Sequence, residues 1–325
     1  MRLLILGGTE FVGRALVAEG LDRGWDVTVF NRGNKPAPRG VTALTGDRGD
    51  PATLDFDGRW DLVVDTWSWA PSAVRDSANA LVGKAAHYTY ISSRSVYEYP
   101  TPPGAGEDAP VVQADPNDAM TSYDRDKAGG ELAATAAFGD QALLVRAGLV
   151  LGPWENIGRL PWWLARARRG GRMLAPGPAD LDLQLIDVRD LAAWTLTAAE
   201  QRRSGPYNLV SPPGHTTMRD LLAACLKETG SDAELVWTDP EKILAEGVEP
   251  WNDLPIWIPP GELHDVMHRA DVSKAVAHGL RCRPAEETVA ATWAWMQEIG
   301  GTPAQRPDRK APGLDPAIEA RILNR

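Results

Sequence analysis

A glycine-rich turn between two apolar segments constrains the fold more than any other feature of this sequence. Residues 3–6 form a short apolar run, residues 7–13 read Gly-Gly-Thr-Glu-Phe-Val-Gly, and residues 11–21 carry apolar side chains at helical spacing. This order predicts a strand, a tight turn and a helix. Glycines in such a turn let backbone N–H groups reach a pyrophosphate at the helix N-terminus, where the helix dipole favours negative charge.

We therefore expect the turn to bind a dinucleotide. The residues expected to contact it are Gly7, Thr9, Glu10, Phe11, Val12 and Gly13. The turn departs from Gly-x-Gly-x-x-Gly, because Glu10 stands where a second glycine usually allows the backbone to approach the phosphates closely. The Glu10 carboxylate must then point away from the phosphates. A plain tight turn without a ligand is the alternative interpretation.

Short strand patterns alternate with helical patterns in the first half of the chain. The sequence predicts strands over residues 27–30, 62–64, 88–91 and 142–145, and helices over residues 72–82 and 127–138. Apolar strands that alternate with helices imply a parallel sheet covered by helices, the doubly wound Rossmann arrangement of the α/β class. We place this dinucleotide-binding domain at residues 1–150 and a smaller C-terminal substrate-covering region, with a tail, at residues 151–325.

The second region has a different pattern of residues. The sequence predicts helices over residues 160–169, 188–200, 218–229, 285–299 and 316–323, and a strand-like segment over residues 183–186. Residues 250–260 contain four prolines and two tryptophans. Because proline disrupts both helices and sheets, this segment is expected to be an ordered loop.

Charge and cysteine content exclude several classes of protein. The 325 residues include 34 Lys and Arg against 44 Asp and Glu, a formal charge of −10, which argues against a nucleic-acid or anionic-membrane surface. Cys225 and Cys282 are the only cysteines, and they form no Cys-x-x-Cys pair. So few cysteines indicate a reducing compartment and no disulfide framework, so we expect the cytoplasm. The first residues lack the apolar length of a signal or a membrane span. His264 and His268 are four residues apart, but no third ligand is fixed by spacing, so no metal site is expected.

The end of the second predicted strand bears on the choice of cofactor. A carboxylate there usually binds the ribose 2′-hydroxyl of NAD, whereas a nearby arginine accommodates the 2′-phosphate of NADP. This sequence has Asn31 and Arg32 and no carboxylate, so NADP(H) is favoured over NAD(H). Asp47 and Arg48 could line the adenine end of the same cleft, or could simply form a turn.

A serine, a tyrosine and a lysine have the spacing required for proton transfer. Tyr123 and Lys127 are four residues apart, so on a helix they share one face. A nearby ammonium stabilises a phenolate and makes tyrosine a usable acid–base catalyst near neutral pH. Ser93 follows a predicted strand, and the carboxyl ends of parallel strands form the ligand crevice. A surface Tyr–Lys pair is the structural alternative.

The order of these motifs resembles the extended, partly atypical short-chain dehydrogenase/reductases, the NAD-dependent epimerase/dehydratase family. The resemblance rests on residues 7–13, 90–97, 123–127, 146–153, 185–192 and 207–209. It implies that Ser93 is the catalytic Ser/Thr position, Tyr123 the acid–base, and Lys127 its partner, which also holds the nicotinamide ribose. Arg94 and Ser95 stand where dehydratases of this family would carry Asp-Glu, so dehydration is the least expected activity.

Tryptophan is unusually frequent, with 13 residues against four Phe, and nine of them follow residue 150. Trp67 and Trp69 follow a predicted strand, and Trp154 and Trp162 lie where the chain enters the second region. We expect these four to contact a substrate in a flat-walled, largely apolar pocket. Core packing is the alternative for each of them.

Together these patterns predict an NAD(P)-dependent oxidoreductase that acts on a carbonyl or hydroxyl group of a small molecule. Two alternatives stay open: a nucleotide-sugar epimerase with retained cofactor, and a non-catalytic nucleotide- or RNA-associated protein. The second arises because the glycine turn is similar to that of atypical members, which include proteins described as RNA-binding. The expected partner is a small-molecule substrate, with a homodimer as an option and no nucleic acid or membrane.

Overall fold

A parallel sheet of seven strands organises the first part of the fold. The computed structural model describes residues 1–306 and 310–324. The strands, in chain order, are β1 Arg2–Leu6, β2 Asp26–Asn31, β3 Thr42–Thr45, β4 Leu62–Asp65, β5 Tyr88–Ser93, β6 Ala142–Ala147, β7 Val150–Leu151, β8 Arg172–Pro176, β9 Asp182–Leu183, β10 Ile186–Asp187, β11 Gly205–Leu209, β12 Thr216–Thr217 and β13 Glu234–Thr238. Within the sheet the order is β11-β6-β5-β4-β1-β2-β3, and neighbouring strands run parallel.

Helices cover both faces of this sheet. The helices of the described chain, in order, are α1 Phe11–Asp22, α2 Pro71–Leu81, α3 Tyr123–Phe138, α4 Arg159–Arg168, α5 Val188–Glu200, α6 Met218–Thr229, α7 Pro240–Leu244, α8 Glu262–His268, α9 Ser273–Ala277, α10 Ala285–Glu298 and α11 Pro316–Leu323. Helices α1 and α5 pack together on one face, and α2 and α3 on the other. The predicted doubly wound Rossmann fold is confirmed. None of the described helices is long and apolar enough to cross a membrane.

The strand order reverses between β1 and β4, and this reversal positions the ligand cleft. The chain leaves β1 towards β2 and β3, and then returns to the other side of β1 to form β4 and β5. Loops at the carboxyl ends of β1 and β4 therefore diverge and leave a crevice between them. The glycine turn follows β1, and residues 66–70 follow β4, so both border this crevice.

The sheet takes its seventh strand from beyond residue 150, which corrects the predicted domain boundary. Strand β11 pairs with β6 in register from Gly205↔Leu143 to Leu209↔Ala147. Helix α5 lies in the same apolar cluster as α1 and covers the sheet. Leu191, Trp194 and Leu196 of α5 are buried in this layer, so residues beyond 150 complete the first core.

The remaining residues form a second core around α4, α6 and α10. The proline-rich segment 250–260 is a loop, as predicted, and buried side chains hold it. Trp163 Nε1 donates a hydrogen bond to the Pro255 carbonyl at 2.7 Å, and Trp257 Nε1 donates to the Gly177 carbonyl at 3.1 Å. Both tryptophans are fully buried. The loop is therefore anchored below while Trp251 and Ile258 face the cleft.

Candidate functional site

A cleft of about 1050 Å³ lies at the carboxyl ends of the sheet strands. One end is lined by the glycine turn and by the loops after β2 and β3, and the other by residues of the second core. The predicted residues Ser93, Tyr123 and Lys127 lie on the same cleft. The fold thus brings all three proposed catalytic residues and the glycine turn to one surface.

The glycine turn has the geometry that a pyrophosphate requires. Gly7 and Gly8 have φ angles of 121° and 97°, in the region that side chains disfavour. A Cβ on Gly13 would lie 2.6 Å from the Gly8 nitrogen, so helix α1 packs directly on the turn. The first-turn N–H groups of a helix have no partners within the helix. Since no side chain caps α1, these groups stay open. These open donors fit the phosphates of a dinucleotide.

Glu10 turns away from these donors, as the sequence requires. Its carboxylate accepts hydrogen bonds from Lys35 Nζ and from Asn156 Nδ2, the latter at 2.7 Å. The Lys35 ammonium offsets the negative charge that Glu10 brings to the turn. Asn156 comes from the chain segment before α4, so this contact crosses the mouth of the cleft.

The residues predicted for the adenosine end have separate roles. Asn31 Oδ1 accepts a hydrogen bond from the Gly33 N–H at 2.8 Å, and Asp47 Oδ1 accepts one from the Gly49 N–H at 2.9 Å. Both side chains therefore shape loops that line the cleft. Arg32 also lines the cleft and is exposed.

Arg48 does not present its guanidinium to the cleft, and this corrects the prediction that it binds the adenine end. The guanidinium is buried in a two-pronged ion pair with Asp65 and donates to Ser77 Oγ at 2.9 Å. Tyr88 donates to the same carboxylate at 2.6 Å. A buried Asp65 needs a cation, and Arg48 supplies it. The Arg48 guanidinium also lies 5.0 Å from the Trp67 ring centroid, and it supports that ring from below.

The catalytic candidates occupy the start of α3 and the end of β5. Tyr123 is the first residue of α3 and is 41% exposed, so a ligand can reach its hydroxyl. Lys127 is buried one turn later, and its ammonium donates to the carbonyls of Trp67 and Ile91, each at 2.6 Å. These two bonds leave one of the three ammonium donors for the cleft. Ser93 Oγ lies 3.1 Å from Ser95 Oγ and accepts from the Ser95 N–H.

The environment of Lys127 makes its charge unusually sensitive to pH. Burial lowers the pKa of Lys127 from 10.5 to about 7, and Asp65 and Glu131 oppose the shift. Two further cations, Arg48 and Arg306, lower the pKa as well. The Lys127 side chain is therefore partly in its neutral amine form near physiological pH in the unliganded protein.

A buried polar network behind Ser93 was not predicted from the sequence. Ser92 Oγ donates to Glu131 at 2.6 Å, and Arg146 holds the Glu131 carboxylate with two hydrogen bonds. The Arg146 guanidinium lies 4.9 Å from the Tyr97 ring centroid, and Tyr97 donates to Asn208 Oδ1 at 2.6 Å. The signal available was that Glu131 follows Lys127 by four residues and so shares its helix face.

The tryptophans divide into two groups. Trp67 and Trp69 line the cleft, with ring centroids 5.0 Å apart in an edge-to-face pair. Trp154 and Trp162 are not among the residues that line it, and their contact with a substrate stays a prediction. The Trp154 ring lies 5.4 Å from the Arg14 guanidinium, and Trp162 packs edge-on against buried Trp163.

Residues from distant segments replace them at this wall. Trp251 lines the cleft from the proline-rich loop, and residues 304–306 cross it from the C-terminal side. Arg306 lies with its guanidinium 5.1 Å from the Trp69 ring centroid. No local pattern in the sequence marks Trp251 or Arg306, because both reach the cleft through long-range packing.

The two histidines have structural roles. His264 Nε2 lies 2.9 Å from the Asp182 carbonyl, and His268 Nδ1 accepts from the Gln184 N–H at 3.0 Å. Burial lowers the pKa of His268 to about 3, and both His264 and Arg94 add to the effect. Among the residues described, no three His, Cys, Asp or Glu side chains form a group that could hold a metal ion.

The comparison with known families agrees with this site. The model of the NAD dependent epimerase/dehydratase family matches residues 72–210, from the first turn of α2 to the end of β11. The resemblance drawn from the sequence motifs is thereby confirmed, and the matched segment contains Ser93, Tyr123 and Lys127.

The proteins that this chain is similar to differ in what they are named for. A 2-alkyl-3-oxoalkanoate reductase of Stenotrophomonas maltophilia is 29% identical over 255 residues, which cover 71% of this chain and 76% of the relative. The chloroplast stem-loop binding protein of 41 kDa b of Arabidopsis thaliana is 26% identical and covers 74% and 67% respectively. The chain is thus similar, at comparable identities, to one protein named as an enzyme and one named as a binding protein.

Solved structures support the fold of this chain independently. UDP-glucose 4-epimerase of Thermus thermophilus, solved as a complex with NAD, superposes with a TM-score of 0.64. The match covers 91% of this chain and 99% of that chain, at 19% sequence identity. At this identity the comparison shows the fold alone.

Proposed function

We propose that this protein is an NAD(P)(H)-dependent oxidoreductase of the extended short-chain type, which reduces a carbonyl group or oxidises a hydroxyl group of a small molecule. The observation that carries the proposal is the shared cleft: Ser93, Tyr123 and Lys127 line the same cavity as the glycine turn. The relative named a 2-alkyl-3-oxoalkanoate reductase supports a reductase over the other activities of the family.

The dinucleotide fits the cavity through the turn and the loops beside it. The open N–H groups at the start of α1, together with Gly7 and Gly13, would hold the pyrophosphate. When bound, the dinucleotide supplies or accepts the hydride. We infer that Ser93 orients the substrate oxygen, because its hydroxyl lies at the carboxyl end of β5 and contacts only the neighbouring Ser95 among the described side chains.

Proton transfer then falls to the exposed tyrosine. Tyr123 gives its proton to the substrate oxygen during reduction and takes it back during oxidation. The Lys127 ammonium, one helical turn away and held by two carbonyl groups, stabilises the phenolate that this transfer leaves. Because Lys127 is buried, water screens its charge little when the ammonium is protonated.

We propose that the cofactor is NADP(H) in preference to NAD(H). No carboxylate stands at the end of β2 to accept the ribose 2′-hydroxyl, and Arg32 lines the cleft there. The Lys35 ammonium lines the same end, so a 2′-phosphate there would meet two cations, Arg32 and Lys35. Lys35 forms an ion pair with Glu10. Both features favour an added negative charge on the ribose.

The partner that we infer is a small molecule, and the location is the cytoplasm. Cys225 is buried and Cys282 half-buried, and both are free thiols, as a reducing compartment would maintain. The formal charge of −10 argues against a nucleic-acid ligand. A homodimer stays a prediction from the sequence.

The experiment that tests the proposal is turnover of added cofactor. The purified protein is mixed with NADPH or NADH and a panel of ketones, oxo acids and nucleotide sugars, and loss of reduced nicotinamide is followed. We expect net oxidation of NADPH with one chemical class, and a fall of about 10² to 10⁴ in kcat for Tyr123→Phe with unchanged cofactor Kd. Tightly retained dinucleotide without net turnover would favour the epimerase, and normal behaviour of Tyr123→Phe would favour a non-catalytic protein.

A further inference from the structure

The proposed reaction does not explain why the glycine turn departs from Gly-x-Gly-x-x-Gly. Glu10 stands where a second glycine would let the backbone approach the phosphates closely. Its side chain does not cap α1. It bonds instead to Lys35 and to Asn156, which lie in two other segments that line the cleft. We call Lys35, Glu10 and Asn156 the clasp.

The clasp joins two segments of the chain across the mouth of the cleft. One oxygen of the Glu10 carboxylate pairs with the Lys35 ammonium, which belongs to the loop after β2. The other oxygen accepts a hydrogen bond from Asn156 Nδ2 at 2.7 Å, and Asn156 lies just before α4. A single carboxylate therefore connects the cofactor end of the cleft to the segment that leads into the second core.

The segment that carries Asn156 is fixed in place by other contacts. The Asn156 carbonyl accepts a hydrogen bond from the Arg306 N–H at 3.0 Å. The Glu155 carboxylate is fully buried and accepts main-chain N–H groups from the first turn of α4. The Trp154 ring lies 5.4 Å from the Arg14 guanidinium of α1. The Asn156 main chain therefore stays beside α1 whether or not its side chain bonds to Glu10.

The main chain of Glu10 is fixed as well, because its carbonyl accepts the Arg14 N–H at 2.9 Å at the start of α1. Since the main chain is held on both sides, rotation of side chains alone can break the bond between Glu10 and Asn156. The side chains of Glu10 and Lys35 are 42% and 59% exposed. Exposed ion pairs are weak because water competes for both charges. The clasp can therefore open and close without movement of the loops.

The clasp lies next to the groups that fit a pyrophosphate. The open N–H donors of α1 begin at Phe11, the residue after Glu10. A phosphate that approaches these donors from the mouth of the cleft meets the Glu10 side chain. The Lys35 ammonium offsets the Glu10 charge, so a closed clasp repels the phosphates less than a lone carboxylate would. The same side chain can therefore lie close to a bound dinucleotide and obstruct its entry and exit.

We propose that the clasp is a gate for the dinucleotide, in which the bonds of Glu10 to Lys35 and Asn156 open to admit or release the cofactor and close again once it is bound. This inference rests on the proposed function of the site but concerns cofactor exchange alone. It gives a role to the residue that replaces the glycine. A gate slows entry and release by the same factor, whereas a residue that only contacts the cofactor slows release.

Stopped-flow fluorescence of NADPH with the full chain tests this inference without relying on turnover. Mixing gives the association rate constant, and displacement by excess NADP⁺ gives the dissociation rate constant. In Asn156→Ala we expect both rate constants to rise about three- to tenfold while the Kd stays within about twofold, because one bond of the clasp is lost. NADH should show the same factors, since this change does not touch a 2′-phosphate site. Asn79→Ala is the matched control, because Asn79 is exposed on α2 and does not line the cleft.

A pair of exchanged substitutions identifies the bond responsible. Asn156→Asp places a second carboxylate opposite Glu10, so repulsion should open the clasp further and raise both rate constants more than Asn156→Ala does. Adding Glu10→Gln to Asn156→Asp restores a hydrogen bond between an amide and a carboxylate with the two groups exchanged. The double variant has the net charge of the wild type. Its two rate constants should therefore return to within about twofold of the wild-type values.

Three outcomes would overturn the inference: unchanged rate constants in Asn156→Ala, a rise in the dissociation rate constant alone, or a double variant that exchanges cofactor as fast as Asn156→Asp. Turnover of a substrate together with any of these three would contradict only the gate. Faster exchange as expected, in a protein that turns over no substrate, would contradict only the oxidoreductase proposal. If neither NADPH nor NADH binds, both proposals are wrong. The two proposals therefore fail in distinguishable ways.

Discussion

The two ends of the cleft are built in different ways. At the cofactor end, residues 7–13 form a continuous turn whose binding groups are backbone N–H donors and whose key residues are glycines. At the substrate end, the wall comes from residues 156–159, the proline-rich loop, helix α8 and residues 304–306, which are far apart in the chain. The first end depends on close backbone approach, and the second on side-chain packing. Substitutions should therefore have different consequences at the two ends.

The largest effect is expected from Gly13→Ala at the cofactor end. The new Cβ would lie 2.6 Å from the Gly8 nitrogen, so the turn must shift and its N–H donors lose their alignment. We expect the cofactor Kd, measured by calorimetry, to rise about 100-fold through loss of charge-assisted hydrogen bonds. Gly106→Ala is the control, because its Cβ would make only an ordinary contact at 3.6 Å. Unchanged cofactor affinity in Gly13→Ala would show that the turn does not bind phosphate.

Trp251→Ala tests the substrate end, where substrate binding should change and cofactor binding should not. Removing this wall should raise the KM for a turned-over substrate about tenfold through lost apolar contact, while the cofactor Kd stays the same. Steady-state kinetics and calorimetry on the same preparation measure the two constants. Trp237→Ala serves for comparison, because Trp237 is also half-buried but lies outside the cleft. A rise in cofactor Kd equal to the rise in KM would mean that the two ends are not separate.

Arg32→Ala examines selectivity within the cofactor end. Loss of a guanidinium that contacts a 2′-phosphate should weaken NADPH binding about tenfold and NADH binding by less than about twofold. Arg39→Ala provides the matched change, since Arg39 is exposed on the same loop but does not line the cleft. Equal effects on the two cofactors would remove the basis for an NADP(H) preference.

The last prediction concerns Lys127 and the dependence of stability on pH. Because its folded pKa is about 7 against 10.5 when unfolded, the unfolded chain binds more protons between these values, and stability rises with pH across that window. Below pH 7 the group gives no slope. Relative to Lys127→Met, the unliganded wild type should gain up to about 1.4 kcal/mol per pH unit above pH 7 in urea unfolding. Lys227→Met changes an exposed lysine, and its unfolding free energy should differ from that of the wild type by the same amount at every pH. If the difference between the wild type and Lys127→Met is also independent of pH, the lowered pKa of Lys127 is contradicted.

The contrast between the two ends also explains what the sequence could predict. The strand, turn and helix around Gly13 and the pair Tyr123–Lys127 depend on local spacing, so their geometry follows from a few contiguous residues. The doubly wound sheet is predictable for the same reason, because each strand–helix unit has its own pattern. The placement of β11 in that sheet was missed, since a strand pairing over more than 60 residues leaves no local mark.

The sequence also could not predict which side chains reach the cleft through contacts between distant segments of the chain. Arg48 follows Asp47 in a loop that lines the cleft, yet it turns inward because Asp65 is buried and needs a cation. Trp154 and Trp162 were expected at the substrate wall from their position after β7, but the wall is filled by Trp251, nearly one hundred residues later. Only packing decides which tryptophan reaches the cleft, and no spacing rule contains that information.

The distribution of the tryptophans gives this protein a built-in optical probe. Trp67, Trp69 and Trp251 face the cleft, while Trp163 and Trp257 are sealed in the second core and cannot meet a ligand. Reduced nicotinamide absorbs where indole emits, so occupancy of the cofactor end should quench emission from the cleft-facing rings by energy transfer. Ligand binding at either end can therefore be followed by intrinsic fluorescence without attaching a dye.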